Sequence, residues 1–293
     1  MKNFWQKFLD KIYNMIVLLT SVGVGKNINF EKSIINSKKW IEKNVVQKNL
    51  FDQVIFIDNN FLNKQDIDIN YYLKKWGDSY FVWKPLSILS ILEKLKDGDI
   101  LYYHDSNVIK YSSYKFNFLI KKEKIMEFVN KNDSKSLFLF HEGYKPLSWD
   151  IKFEALFNSK KQSYKNYDNG IWAGALIIKK NSYSVKLIEK WVELSKSDLI
   201  TKNEYPYISK IFYPRFARHS QDQAALYLSL INSSRRFHGV KILHTNRRNI
   251  YLNDISQPIF KVKDFLHFIS WKLKDYYFFL NFLINGQNKY YKS

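Results

Sequence analysis

The sequence predicts an α/β fold, with a mostly parallel sheet covered by helices on both faces. Three observations predict it. Short apolar runs recur along the chain and alternate with segments of helical period. The run Ile100–Tyr103 rises out of a Gly98-Asp99 turn and stops on the polar and acidic cluster His104-Asp105-Ser106-Asn107, as a buried strand does where it leaves a sheet. Gly (9) and Pro (5) are scarce, and no repeat, low-complexity block or linker divides the middle of the chain.

The elements follow in order. Met15–Thr20 is an apolar run closed by a threonine and reads as the first strand. Residues 29–47 carry helical spacing, and Gln53–Asp58 is a second strand after a Phe51-Asp52 turn. Lys84–Lys96 reads as an amphipathic helix with Pro85 in its first turn, where a missing N–H costs nothing. Ile100–Tyr103 is the third strand, and a helix is expected over 115–130. Leu137–Phe140 and Trp172–Ile178 are the fourth and fifth strands. Helices are expected at Ser182–Leu194 and Gln221–Ile231, then a short strand at Val240–Leu243.

With 293 residues and 46% hydrophobic content the chain can build a full core. Cysteine is absent, which removes disulfides, thiolate metal sites and thiol nucleophiles and fits a reducing, cytoplasmic setting. Net charge is +20, from 47 basic and 27 acidic residues, a field that favours phosphates, anionic lipid head groups or nucleic acid. Most of the excess is lysine, and AT-rich coding produces the same Lys, Asn and Ile bias. Arginine is more telling, because its fork of donors matches phosphate oxygens. All six arginines lie in one stretch, at positions 215, 218, 235, 236, 247 and 248.

The ends differ from the middle, which divides the chain into 1–13, a main domain over 14–255, and a tail over 256–293. Phe4, Trp5, Phe8, Leu9, Ile12 and Tyr13 share one helical face, flanked by Lys2, Lys7 and Lys11. The tail is a basic-aromatic helical segment. Neither end has the ~20 apolar residues of a membrane span. Both suit the plane of an anionic membrane surface, or packing on the domain or on a second copy. A secretory signal is not expected, since no small-residue cleavage site follows the first apolar stretch.

Several clusters can carry chemistry. Asp105 stands where open α/β sheets bind ligands, just beyond the carboxyl end of a strand, although a strand-end Asp can equally cap a turn. The Trp172-Ala173-Gly174-Ala175 opening of the fifth strand has small residues that let a ligand approach the backbone, or let a helix pack closely. Arg218-His219-Ser220-Gln221-Asp222-Gln223 opens a helix, where polar groups can bind hydroxyls or phosphate, or simply cap the helix. Val240–Leu243 delivers His244 to the same kind of edge, followed by Arg247 and Arg248. Ser21–Asn27 is not a P-loop, because Thr20 and Asn27 stand where that loop needs Gly and Ser or Thr.

In combination, Trp83-Lys84-Pro85, Gly98 to Asp105, Trp172-Ala173-Gly174 and His219-Ser-Gln-Asp222-Gln223, in that order, resemble nucleotide-sugar glycosyltransferases of GT-A type, particularly small capsule and surface-polysaccharide enzymes. The resemblance spans roughly residues 15–249 and implies a GT-A, Rossmann-like sheet. It also implies transfer of a sugar from a nucleoside-diphosphate sugar to a hydroxyl acceptor on a glycan or glycolipid. Under it, Lys84, Asp105, Asn107, Trp172, Ala173, Gly174, Gln223, Arg247 and Arg248 would bind the donor, and Asp105 and His244 would hold Mn2+ or Mg2+. Asp222, then Asp150, would be the candidate base of an inverting reaction. A retaining reaction needs no such base. One departure matters: the family's Asp-x-Asp has two acids, whereas this chain reads Tyr103-His104-Asp105. The alternative is a metal-free site in which Arg247, Arg248 or Lys241 neutralises the leaving diphosphate. A nucleic-acid-binding protein or nuclease fits the charge but lacks any recognition signature. A non-catalytic nucleotide-sugar-binding homologue fits the missing acid.

Overall fold

The computed structural model describes residues 15–21, 38–68, 71, 81–105, 122–142, 171–197, 200, 221–232, 239–246 and 249–254. These form one seven-stranded sheet with helices on both faces. The strands are β1 (Ile16–Ser21), β2 (Gln53–Ile57), β3 (Ile100–Asp105), β4 (Leu137–Glu142), β5 (Ile171–Lys179), β6 (Val240–Asn246) and β7 (Asn249–Asp254). Their spatial order is β2-β1-β3-β5-β4-β6-β7. β1 pairs parallel with β2 and β3, and β4 pairs parallel with β6. β5 runs antiparallel between β3 and β4, and β7 is antiparallel to β6. Five strands thus point one way and two the other, the mostly parallel α/β sheet that the alternation of elements predicts and the Rossmann-like arrangement that the resemblance implies.

Alternation along the central strands divides the core. On one face Val17, Leu19, Leu101, Tyr103, Leu137, Leu139, Leu176 and Ile178 meet three helices. Those helices are α2 (Trp83–Leu92), α4 (Ser182–Ser195) and α5 (Gln221–Asn232). On the other face Ile16, Leu18, Ile100, Tyr102, Phe138, Phe140 and Ile177 meet α3 (Lys122–Lys131) and a π-helical turn at Glu42–Val46. Asp105 follows Leu101 and Tyr103 at a spacing of two, so it belongs to the first face. His104 belongs to the second, where it meets Tyr102 edge-on with ring centroids 5.9 Å apart.

Two acids anchor the start of β1. Asp99 accepts from the N–H of Met15 (2.9 Å) and of Lys96 (2.9 Å), while Asp52 accepts from Ile16 N–H (2.8 Å). Gly98 makes the turn before β3 with φ of 95°, a conformation that only glycine enters freely. Asn181 and Ser184 form a reciprocal capping box at the start of α4, each side chain bonding the other's backbone N–H (2.9 and 3.0 Å).

Four sequence expectations change. β3 continues through His104 and Asp105, so the acidic residue ends the strand instead of following it. α2 is a buried helix, not an amphipathic one: Trp83, Lys84, Pro85, Ser87, Ile88, Ile91 and Leu92 are all buried. A short helix α1 (Asn59–Lys64) follows β2, capped by Asp58, which accepts from Phe61 N–H at 2.8 Å. β6 runs on to Asn246, and β7, absent from the sequence expectations, pairs antiparallel with it. The helix expected over 29–47 is described only from residue 38, and the one expected over 115–130 only from Lys122. The terminal segments 1–13 and 256–293 and all six arginines lie outside the described residues. No helix among the described residues is long and apolar enough to cross a membrane.

Candidate functional site

Three elements deliver polar groups to one point. β3 ends on Asp105, α2 carries Lys84 in its first turn, and α5 carries Asp222 in its first turn. The Lys84 Nζ lies 2.6 Å from Asp222 Oδ2 and 3.3 Å from Asp105 Oδ2. It also donates to the backbone carbonyl of Ala173 on β5 at 3.3 Å. An ammonium has three N–H groups, and these three oxygens account for all of them.

The Ala173 carbonyl reaches this point because β5 carries a bulge. Leu176 pairs with Leu139 on β4, but the next β4 residue, Phe140, pairs with Trp172, leaving residues 173–175 without β4 partners. An odd number of extra residues exchanges the two faces of a strand. Accordingly Ala173 joins the face of α2 and α5 together with Leu176 and Ile178, whereas regular alternation would place it opposite. The Ala-Gly-Ala sequence has no side chain larger than a methyl to obstruct that slip.

Each carboxylate is held on its other side. The Tyr103 hydroxyl donates to Asp105 Oδ1 in a short hydrogen bond, two residues back on the same strand face. Asp222 Oδ1 accepts from Gln223 N–H at 2.9 Å, and the Asp222 carbonyl accepts from the indole N–H of the fully buried Trp191 at 3.1 Å. The rings of Tyr103 and Phe81 flank the ammonium, with centroids 5.6 and 5.9 Å from Nζ.

Burial is graded across the cluster. The Lys84 side chain is 3% exposed, Asp222 16% and Asp105 22%. The lysine forms the floor and the two carboxylates form the rim. Burial alone would pull the Lys84 ammonium down, but Asp105 and then Asp222 outweigh it and hold its pKa above the ordinary lysine value. Burial pushes Asp105 above the ordinary carboxylate range, opposed by Lys84 and by the Tyr103 hydrogen bond. One ammonium against two carboxylates leaves a net negative charge on the rim. Such a rim accepts hydrogen bonds from hydroxyls, which suits a sugar, and repels phosphate oxygens.

The expected site residues therefore separate. Asp105, Asp222, Lys84 and the Ala173 backbone converge, and Gln223 supplies the N–H that orients Asp222. Lys84 stands behind the carboxylates with its donors spent, so it has none left for a donor phosphate. Gly174 is buried within the bulge. Lys241 lies near the start of β6, level with Tyr102 and three strand positions from β3, where it bonds Asn132 at 2.9 Å and covers the Phe128 ring. Asn107, Asp150, Arg247 and Arg248, and the side chains of Trp172 and His244, lie outside the described residues. The His244 backbone pairs with His141 of β4. β6 is three strand positions from β3, roughly 14 Å at the usual spacing.

A divalent ion fits the described donors poorly. Both oxygens of Asp105 are engaged, the point between the two carboxylates holds an ammonium, and no group of three acidic or imidazole ligands occurs among the described residues. Tyr103 and Trp191 are the side chains of this cluster that sequence reasoning missed. Tyr103 was accessible through the two-residue period of a strand, which puts it on the face of Asp105. Trp191 was accessible as an indole on the apolar face of a helix, since a buried indole N–H needs an acceptor.

No family model matches the chain, and no curated protein matches it. Among solved structures, the chain is similar to 4-diphosphocytidyl-2C-methyl-D-erythritol synthase from Anaerococcus prevotii, with 13% identity over 89% of this chain and 99% of that one and a TM-score of 0.31. It is also similar to mouse xyloside xylosyltransferase 1, with 12% identity over 78% of this chain and 84% of that one and a TM-score of 0.38. At these scores both likenesses are weak, and the fold and the site stand on the chain's own geometry.

Proposed function

We propose that this protein is a GT-A-type glycosyltransferase that moves a sugar from a nucleoside-diphosphate sugar to a hydroxyl of a glycan or glycolipid. The observation that carries the reading is the meeting of Asp105, Asp222 and the Ala173 carbonyl beside the carboxyl end of β3, where open α/β sheets place ligands. Two partly exposed carboxylates, each oxygen able to accept more than one hydrogen bond, suit the hydroxyls of a sugar.

In this reading Asp105 and Asp222 orient the donor sugar, and the Ala-Gly-Ala bulge supplies the carbonyl that fixes Lys84 behind them. Asp222 is the candidate base that accepts the acceptor's proton as the new C–O bond forms and the nucleoside diphosphate leaves. Arg247 and Arg248, which directly follow the last residue of β6 in the sequence, are candidates to neutralise that leaving group. The described donors do not form a divalent site, so no step here depends on one.

The test is a thermal-shift screen of UDP-, GDP-, CDP- and dTDP-sugars with and without Mn2+. A ligand that binds the folded state alone raises the melting temperature in proportion to its saturation. Stabilisation by one donor, followed by its turnover with a glycan acceptor, supports the transferase. Stabilisation without turnover indicates a nucleotide-sugar-binding homologue. Failure of every donor, together with salt-sensitive binding of nucleic acid, removes the reading.

A further inference from the structure

We propose that Lys84 is a positioning residue that serves as the built-in cation of this site, occupying the place between Asp105 and Asp222 that a divalent ion would otherwise fill. The inference rests on the donor-site reading only for its catalytic consequence; the cation itself stands on geometry.

Three oxygens from β3, β5 and α5 converge on Nζ, at 3.3, 3.3 and 2.6 Å. Two are carboxylate oxygens and one is a backbone carbonyl, the hard donor set that calcium, magnesium and manganese select. The bulge in β5 that turns the Ala173 carbonyl toward this point has no other partner for it on β4. Phe81 and Tyr103 flank the ammonium, and 3% exposure leaves it almost no contact with water. A surface lysine that bound phosphate would present its ammonium outward. This one presents two carboxylates instead and keeps them opposed, since without a cation their charges would drive them apart.

It follows that the wild-type protein holds Asp105 and Asp222 in register without a divalent ion. Deleting the ammonium while sparing the oxygens should create a metal site that the native protein does not have. Lys84→Ala leaves the three-oxygen cage empty. Lys84→Met fills the same space with an uncharged chain.

The experiment is thermal unfolding of donor-free wild type, Lys84→Ala and Lys84→Met in chelator, and then in rising Mn2+ or Ca2+. The expected result is a wild-type melting temperature that moves by less than about 1 °C, a Lys84→Ala protein that is less stable in chelator and gains several degrees saturably with the ion, and a Lys84→Met protein that does not respond. An equal response in wild type or in Lys84→Met, or none in Lys84→Ala, overturns the proposal. Should Lys84→Ala fail to fold in chelator, refolding with Mn2+ decides: recovery of folded protein supports the inference, and no recovery overturns it. Ion rescue of Lys84→Ala in a protein that binds no nucleotide sugar would keep the built-in cation and remove the transferase reading. Donor binding by wild type without ion rescue of the variant would do the reverse.

Discussion

Lys84 and Asp222 are 138 residues apart in the chain, and their charged atoms are 2.6 Å apart in the fold. That contact ties the first turn of α2 to the first turn of α5 across the end of β3. It makes the geometry of Asp105 and Asp222 one property instead of two.

Asp222→Asn keeps the shape of the side chain and removes its charge. Transfer from the nucleotide sugar should fall by about 100-fold or more if Asp222 is the base. Stability should drop by about 1–3 kcal/mol, because the buried Lys84 loses its shorter ion pair and keeps only Asp105 as a counter-charge. Initial rates and urea unfolding of the same preparation read both effects. An Asn variant with native turnover would exclude Asp222 as the base.

Tyr103→Phe removes one hydroxyl and leaves the ring beside the ammonium. The lost hydrogen bond ends on a carboxylate that is 22% exposed, so the expected cost is about 1–2 kcal/mol, with the denaturant slope unchanged. Donor affinity should weaken as well, since Asp105 loses the partner that orients its inner oxygen. A variant with unchanged stability and donor affinity would show that the phenol is a bystander.

His104 gives the fold a pH dependence. Its ring is buried on the face of β3 away from Asp105, its Nδ1 lies 2.8 Å from the Asp105 carbonyl and so carries the proton, and burial lowers its pKa to about 4 from 6.5. A depressed pKa means that the unfolded chain takes up a proton first as the pH falls. Stability from the neutral ring is therefore complete above about pH 6.5 and is lost progressively toward pH 4, by about 3 kcal/mol in all. Urea unfolding at pH 7.5 and 5.0 should show the loss in wild type and a smaller one in His104→Gln. Parallel pH profiles for the two proteins would contradict it.

Gly239→Ala tests packing far from the carboxylates. A methyl group there would land on the Tyr183 ring, 2.7 Å from Cδ1. The Gly239 carbonyl also accepts from Ser136 N–H (2.7 Å) and Leu137 N–H (3.0 Å), which joins the starts of β4 and β6. Overpacking of this kind costs about 1–3 kcal/mol. The melting temperature should fall while the affinity for a nucleotide sugar stays native. A substitution without thermal cost would mean that Tyr183 swings aside freely.

Much of the architecture was legible because hydrophobic period is a local property. Gln53–Ile57, Leu137 onward and Ile171–Lys179 announce themselves as apolar runs, and Pro85 marks a helix start by backbone chemistry that needs no partner. The direction of β5 was not legible. A strand buried on both faces has no alternation to read, and its orientation is set by how the chain returns to the sheet. β7 was not legible because its apolar run, Ile250 to Leu252, is shorter than the four residues that distinguish a strand from a loop.

The sequence by itself determined the α/β class, the position of Asp105 at a strand end and of Asp222 in a helix start, because each depends on residues within one or two turns of itself. Only the tertiary structure decided what those acids do to each other. The burial of Lys84, the slip that turns the Ala173 carbonyl inward, and the lock of Trp191 on Asp222 all arise between elements distant in the chain. A lysine in the first turn of a helix reads as a solvated cation when its neighbours are local. It becomes a buried one when two carboxylates and a carbonyl from three other elements meet it and outweigh the loss of water.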